Sequence, residues 1–216
     1  MPPTGTTSRP PLTRRRILEA ALTLIDGRGL DELTMRGLGA ELGVEAMSIY
    51  KHVPGKGAVL DGVVELLLEE LEADGPVLPD WRECLTDFAG RVRRLSLAHP
   101  LSFPLLARRS ASAWLVGRTL VEEGMRSMIA GGFSREDAVA GMRLVMRFTL
   151  GFSFTAPGVG ATDDGPALVA GQELAGEFPL TADVLSAMRA GDGEQRLFEM
   201  GLAALVRGLE PSAAPR

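Results

Sequence analysis

Apolar positions recur with a helical period along almost the whole chain, and no strand-like alternation lasts more than a few residues. Ile17, Ala21, Leu24 and Ile25 fall at i, i+4, i+7 and i+8. This stripe predicts a first helix from Thr13, an N-cap type, to about Asp26, ended by Gly27 and Gly29. A short second helix is predicted from Thr34 to Gly43. A third covers about Glu45 to His52 and stops before Pro54-Gly55, because the residue preceding a proline resists the helical region. Lys56 to Ala73 reads as a longer fourth helix with Val59, Val63, Leu66, Leu67 and Leu71 along one side. Gly75-Pro76 and Pro79 then punctuate the chain. Further helices are predicted at about Trp81–Ala98, Pro104–Arg109, Ser112–Ala130 and Ser134–Thr155, the last opened by Ser134 and Asp137 in capping-box spacing. Ala156 to Gly165, rich in Gly, Pro and Asp, reads as a loop. Weaker helical segments at about Ala167–Ala175 and Thr181–Ala190 precede a strong final helix, Glu194 to Leu209. The predicted fold class is all-α, with a small N-terminal domain at 11–71 and a larger helical domain at 78–210.

The two short helices joined through Leu42-Gly43-Val44 meet the needs of a helix-turn-helix, at about 34–53. Leu38 and Leu42 are placed to pack inward against Val44 and Ile49. Gly39 sits where the two helices approach most closely, and Gly43 can take a positive φ at the turn. The remaining face of the third helix presents Glu45, Ala46, Ser48, Lys51 and His52. These are short or polar side chains suited to a DNA major groove about 12 Å wide.

At these residues the chain resembles the tetracycline-repressor family of bacterial transcription regulators. The pattern is Thr13…Ile17-Leu18-x-Ala20-Ala21, Gly29…Thr34-Met-Arg36, Leu42-Gly43-Val44 and Ile49-Tyr50-x-His52-Val53-x-x-Lys56-x-x-Leu60. It covers about residues 12–70, and its last part is similar to the branch of the tetracycline repressor itself. The resemblance implies that Thr34 approaches phosphate and Arg36 a base edge. It also implies that Ser48 and Tyr50 approach the backbone or a thymine methyl, and that Lys56 contacts phosphate as a point charge. Tyr50 has an alternative role as a cap on the small core, and His52 reads as a packing and hydrogen-bonding residue between helices rather than a base reader. Met47 stands where the branch carries a turn-tightening proline, so the likeness does not extend to operator sequence.

Charge and composition fit this picture. The net charge of −5 conceals a first sixteen residues with four arginines and no acid, and both lysines of the chain, Lys51 and Lys56, lie beside the helix-turn-helix. With 45% apolar and 24% charged residues a large core can form. No apolar run is long enough to span a membrane and no secretory signal is visible, which predicts a soluble, cytoplasmic protein. The single cysteine, Cys84, reads as a small buried residue, and two histidines, His52 and His99, cannot build a histidine-rich metal site. Gly37-x-Gly39-x-x-x-Gly43 and Pro54-Gly55-Lys56-Gly57 both fail as phosphate-binding motifs, so no enzyme motif and no cofactor is expected.

In the larger domain the likeness is one of helix count and order, with Trp81 through Phe88 and His99-Pro100 similar to the same branch. Phe88, Phe103, Trp114, Met125, Met128, Met142, Met146 and Phe152 are flexible or aromatic candidates for lining a pocket for a hydrophobic effector, although for any single one a place in the core is the favoured reading. A tetracycline–magnesium site needs a mid-domain histidine that the chain lacks after His99, so a different hydrophobic molecule is expected. Homodimerisation is expected through the helices at 134–155 and 194–209, with Ala138, Gly141, Gly201 and Ala204 allowing close approach and Val145, Leu197, Leu202 and Leu205 as seam. The expected function is a repressor released from a palindromic double-stranded operator by that effector. The competing readings are a helical DNA-binding module with no small-molecule response and an all-helical enzyme.

Overall fold

A computed structural model describes residues 10–73, 78–108, 118–155, 178–190 and 193–211. Among these there are ten α-helices, one 3-10 turn and no strand. Thr13 opens α1 (Arg14–Arg28), its hydroxyl accepting from Arg16 N at 3.2 Å. Gly27 lies inside this helix rather than ending it. Gly29, at φ +89, ends it, and a 3-10 turn at Leu30–Glu32 that periodicity did not predict follows. Next come α2 (Met35–Leu42), α3 (Ala46–Tyr50), shorter than expected at both ends, and α4 (Lys56–Ala73). α1 packs along α4 and against α2, and α2 against α3. Ile17, Leu18, Leu38, Ile49, Val53 and Val63 form their shared core.

The second unit contains α5 (Trp81–Ala98), α6 (Pro104–Arg108), α7 (Arg118–Ala130), α8 (Arg135–Thr155), α9 (Pro179–Ala190) and α10 (Glu194–Gly208). Asp80 caps α5 by accepting from Arg82 N and Glu83 N, and the Ser134 hydroxyl accepts from Asp137 N at the start of α8. α5 is central, touching α4, α7, α8 and α10. Trp81 meets Phe133 edge to face at 4.8 Å, and Phe148 and Phe152 close on Phe198 of α10. Residue 109, residues 112–117, the loop expected at 156–165 and the segment expected at 167–175 lie outside the described residues.

The seam expected on α8 and α10 needs correction. Ala138, Gly141 and Val145 of α8 and Leu202 of α10 are buried within this chain, because α8 packs against α5, α7 and α10, and α10 against α5 and α8. A Cβ on Gly141 would come 2.6 Å from Met128 Cε, and one on Gly201 2.7 Å from Phe148 Cζ, so both glycines serve contacts inside the chain. Of the expected seam Leu197 is exposed, and the other exposed apolar side chains of the two helices are Val139, Leu144 and Met200. Ala204 is exposed and Leu205 half-buried.

Candidate nucleic-acid interface and ligand cavity

The helix-turn-helix is held by three local devices. Thr34 caps α2 by accepting from Gly37 N at 2.9 Å, which leaves its O–H free to donate outward. Gly43 is left-handed (φ +63, ψ +42), a conformation costly for residues with a Cβ, and it lets Val44 N donate to Gly39 O at 2.9 Å. Gly39 provides the close approach, since a Cβ there would stand 2.8 Å from Val44 O and 3.3 Å from Ala46 N. Ile49, fully buried, then pins α3 to the core.

With Ile49 inward, the opposite side of α3 faces out. Glu45, Tyr50, Lys51 and His52 are exposed, Ala46 and Ser48 half-buried at the flanks, and Arg36 and Lys56 exposed on the adjoining helix starts. Thr34, Arg36, Glu45, Ala46, Ser48, Tyr50, Lys51, His52 and Lys56 therefore belong to one stretch formed by α2, α3 and the first turn of α4. Tyr50 is 45% exposed, so it does not cap the core, and His52, exposed with no side-chain hydrogen bond among the described residues, does not pack between helices. Met47 is 70% exposed beside them; apolar character concealed it, although its position two residues before Ile49 was a usable signal.

The cations divide into two groups. Arg14 pairs with Glu65 at 2.8 Å, and Arg15 with Glu69 and Glu19 at 2.9 Å, so these arginines bind α1 to α4. Arg36, Lys51 and Lys56 have no carboxylate partner among the described residues, and their charge is available to an external anion.

Where the two units meet, His99 bridges two carboxylates. Its Nδ1 lies 2.6 Å from Asp26 Oδ2 of α1 and its Nε2 2.9 Å from Glu70 Oε2 of α4. Asp26 Oδ1 also accepts from Ser102 N and Ser102 Oγ. Burial disfavours the imidazolium, but the bonds to Asp26 and Glu70 and their negative charge outweigh it, and the pKa is raised from its ordinary 6.5.

An apolar cleft opens between the units; its free interior is about 50 Å³, and about 580 Å³ only when open solvent at the mouth is included. Leu68 and Leu71 come from α4, Phe88, Val92 and Leu95 from α5, Leu106 from α6, Val121 from α7, and Met146, Thr149 and Leu150 from α8. The hydroxyl of Thr149 is spent on Val145 O at 2.8 Å, so the wall offers a ligand almost no polar contact. Of the residues expected from sequence, Phe88 and Met146 line this cavity. Phe103, Met128 and Met142 are instead buried in the core, Met125 packs against it, and Phe152 joins the aromatic cluster with Phe148 and Phe198. Trp114 lies outside the described residues. Seven aliphatic wall residues and Thr149 were missed, because hydrophobicity alone does not separate a wall from a filled core. Cys84 is buried, and burial pushes its thiol pKa up. Among the described residues no helix is long and apolar enough to cross a membrane.

Comparison with known proteins agrees with this architecture. Residues 17–63 match the family model described as bacterial regulatory proteins, tetR family, and residues 75–212 that of the tetracyclin repressor-like C-terminal domain. The Escherichia coli tetracycline repressor protein class D is 33% identical over 92% of this chain and 89% of its own. The Streptomyces coelicolor TetR family protein ActR in complex with actinorhodin superposes at a TM-score of 0.68, with 28% identity over 95% of this chain and 100% of that one. BioQ with its double-stranded DNA operator gives a TM-score of 0.64, with 25% identity over 92% of this chain and 98% of that one. An unpaired cationic helix-turn-helix joined through α4 to an apolar cavity is thus found on a chain that matches both family models, and the protein belongs to the tetracycline-repressor family of transcriptional regulators.

Proposed function

We propose that the chain is a homodimeric repressor that holds a palindromic operator and releases it when a hydrophobic small molecule enters the cavity. The observation that carries the reading is the course of α4. It begins at the unpaired Lys56 beside α3 and ends with Leu68 and Leu71 in the cavity wall. Occupancy of one end therefore bears on the position of the other. Among similar proteins, ActR is known in complex with actinorhodin and BioQ with its operator, which supports assigning both kinds of partner here. One five-residue recognition helix buries too little surface for specific affinity, so two copies engage successive major-groove faces about 34–36 Å apart. The exposed Leu144, Leu197 and Met200 on α8 and α10 supply the face on which the copies pair.

Fluorescence anisotropy with DNA flanking the coding region tests this. Lys56→Ala is expected to weaken binding on every sequence and flatten the salt slope by about one unit. Hydrophobic compounds that raise the melting temperature are expected to lower operator affinity by about 5–150-fold. Tight operator binding by a strict monomer overturns the dimer. Compounds that stabilise the protein without weakening operator binding leave the DNA-binding module without a small-molecule response as the better account.

A further inference from the structure

Among the described residues of the first unit only two large apolar side chains are exposed, Met47 at 70% and Tyr50 at 45%, and both belong to the five-residue α3. A single exposed apolar residue is ordinary on a protein surface, but these two adjoin. Met47 precedes Ile49 by two residues, about 200° around a helix, so it stands opposite the side chain that pins α3 to the core. Tyr50 and Lys51 follow Met47 at three and four residues, which places all three on one face. Met35 of α2 and Val44 of the turn pack against the core cluster, whereas Met47 takes no part in it. Packing therefore gives Met47 no task in the fold.

The surroundings decide what such a side chain can meet. Arg36, Lys51 and Lys56 are exposed on α2, at the end of α3 and at the start of α4, with no carboxylate partner among the described residues. An apolar pair among unpaired cations suits a polyanion better than the apolar face of another protein. In the major groove of DNA each base pair displays hydrogen-bonding groups, and the C5-methyl of thymine is the one apolar group there. A methionine side chain has no donor and only a weak acceptor, so the polar base edges are closed to it and methyl contact is left. We infer that Met47 selects thymine in the operator by closing its thioether chain on a C5-methyl, with the Tyr50 ring beside it. The inference rests on the operator reading above and deepens it, adding an apolar determinant of sequence to the polar contacts.

Uracil tests this, because it pairs as thymine does and lacks only the methyl. Selection with the full-length protein on a random double-stranded library supplies the bound sequence. Fluorescence anisotropy then compares that sequence with copies carrying deoxyuridine for thymine at one symmetric pair of positions at a time. Losing a methyl from an apolar contact weakens binding about fourfold, so with two copies on one operator the wild type is expected to lose roughly fifteenfold at one such pair. Met47→Ala is expected to bind the thymine sequence as weakly as the wild type binds that uracil copy, and to lose less than about twofold on replacement there. Met47→Leu keeps most of the preference. Since Met47 lies outside the core, Met47→Ala is expected to melt within about 2 °C of the wild type. Uracil that costs nothing at any pair overturns the methyl contact and leaves operator binding standing. So does a uracil loss that Met47→Ala retains in full, which assigns the methyl to Tyr50 or another side chain. A lower melting temperature for Met47→Ala overturns the free side chain on which the contact depends. A library from which no sequence is enriched overturns the operator reading and the methyl contact with it.

Discussion

The core around α1–α3 and the core around α5–α10 are built from different materials. The first uses short aliphatic side chains, with Ile17, Leu18, Leu33, Leu38 and Ile49 all fully or nearly fully buried. The second relies on Trp81, Phe88, Phe103, Met128, Met142 and Phe198. Among the described residues the fully buried polar side chains, from Arg91 to Ser153, all belong to the second unit as well. Branched aliphatic residues have few rotamers and interlock in one way, whereas methionine adapts to irregular space. The unit with the proposed DNA-facing side chains is thus specified as a single shape, and the unit with the cavity is packed less regularly.

The largest expected effect comes from truncating one wall in each unit. Ile49→Ala is expected to cost about 2–5 kcal/mol in a urea melt and to abolish operator binding, because nothing else pins α3. Met146→Ala removes a half-buried chain beside space that is already empty, and is expected to cost no more than about 2 kcal/mol with operator binding retained. Equal losses would break the contrast. A smaller effect separates two glycines. A Cβ on Gly39 meets the backbone of Val44, so Gly39→Ala is expected to lose about 1–3 kcal/mol. A Cβ on Gly141 meets the flexible end of Met128 and, at ordinary contact distance, the methyls of Leu209, so Gly141→Ala is expected to stay within about 1 kcal/mol of wild type by the same melt. A rigid response at Gly141 would remove the distinction between the units.

The smallest effect concerns the His99 bridge. Its pKa is higher in the folded protein than its ordinary 6.5. The stabilisation is therefore complete below about pH 6.5 and is lost as pH rises through the raised value. Melting temperatures of wild type and His99→Gln are expected to differ most near pH 6 and to converge at alkaline pH. A constant difference would show that the bridge acts through packing rather than charge.

Much of the helical framework was legible because capping chemistry is local. Thr13, Thr34 and Ser134 mark their helix starts as expected, and Lys56–Ala73 and Trp81–Ala98 agree at both ends. The 3-10 turn at Leu30–Glu32 is too short to show a period, and Gly27 sits harmlessly within an exposed last turn. The exposed stretch on α2, α3 and the first turn of α4 was readable as a surface for the same local reason. The cavity was not, since Met142 and Met146 carry identical chemistry and only the packing of α8 decides that the first is core and the second wall. The burial of Arg93 was equally invisible, because Arg91, Arg93 and Arg94 in sequence resemble a solvated face until α8 and α10 close over the middle one.

The length of α4 sets a mechanical gain. Fifteen residues separate Lys56 from Leu71, a span of roughly 22 Å at about 1.5 Å per residue. A tilt of roughly 5° about the cavity end carries Lys56 through roughly 2 Å, most of the length of a charge-assisted hydrogen bond. In a two-fold pair both recognition helices move, so their separation changes by up to roughly 4 Å, against a groove repeat of about 34 Å that does not stretch to follow. A shorter α4 would need a larger guest to produce the same mismatch. Under the proposed mechanism, the eighteen residues of this helix would convert an adjustment no bigger than a side-chain repacking into a register error on DNA.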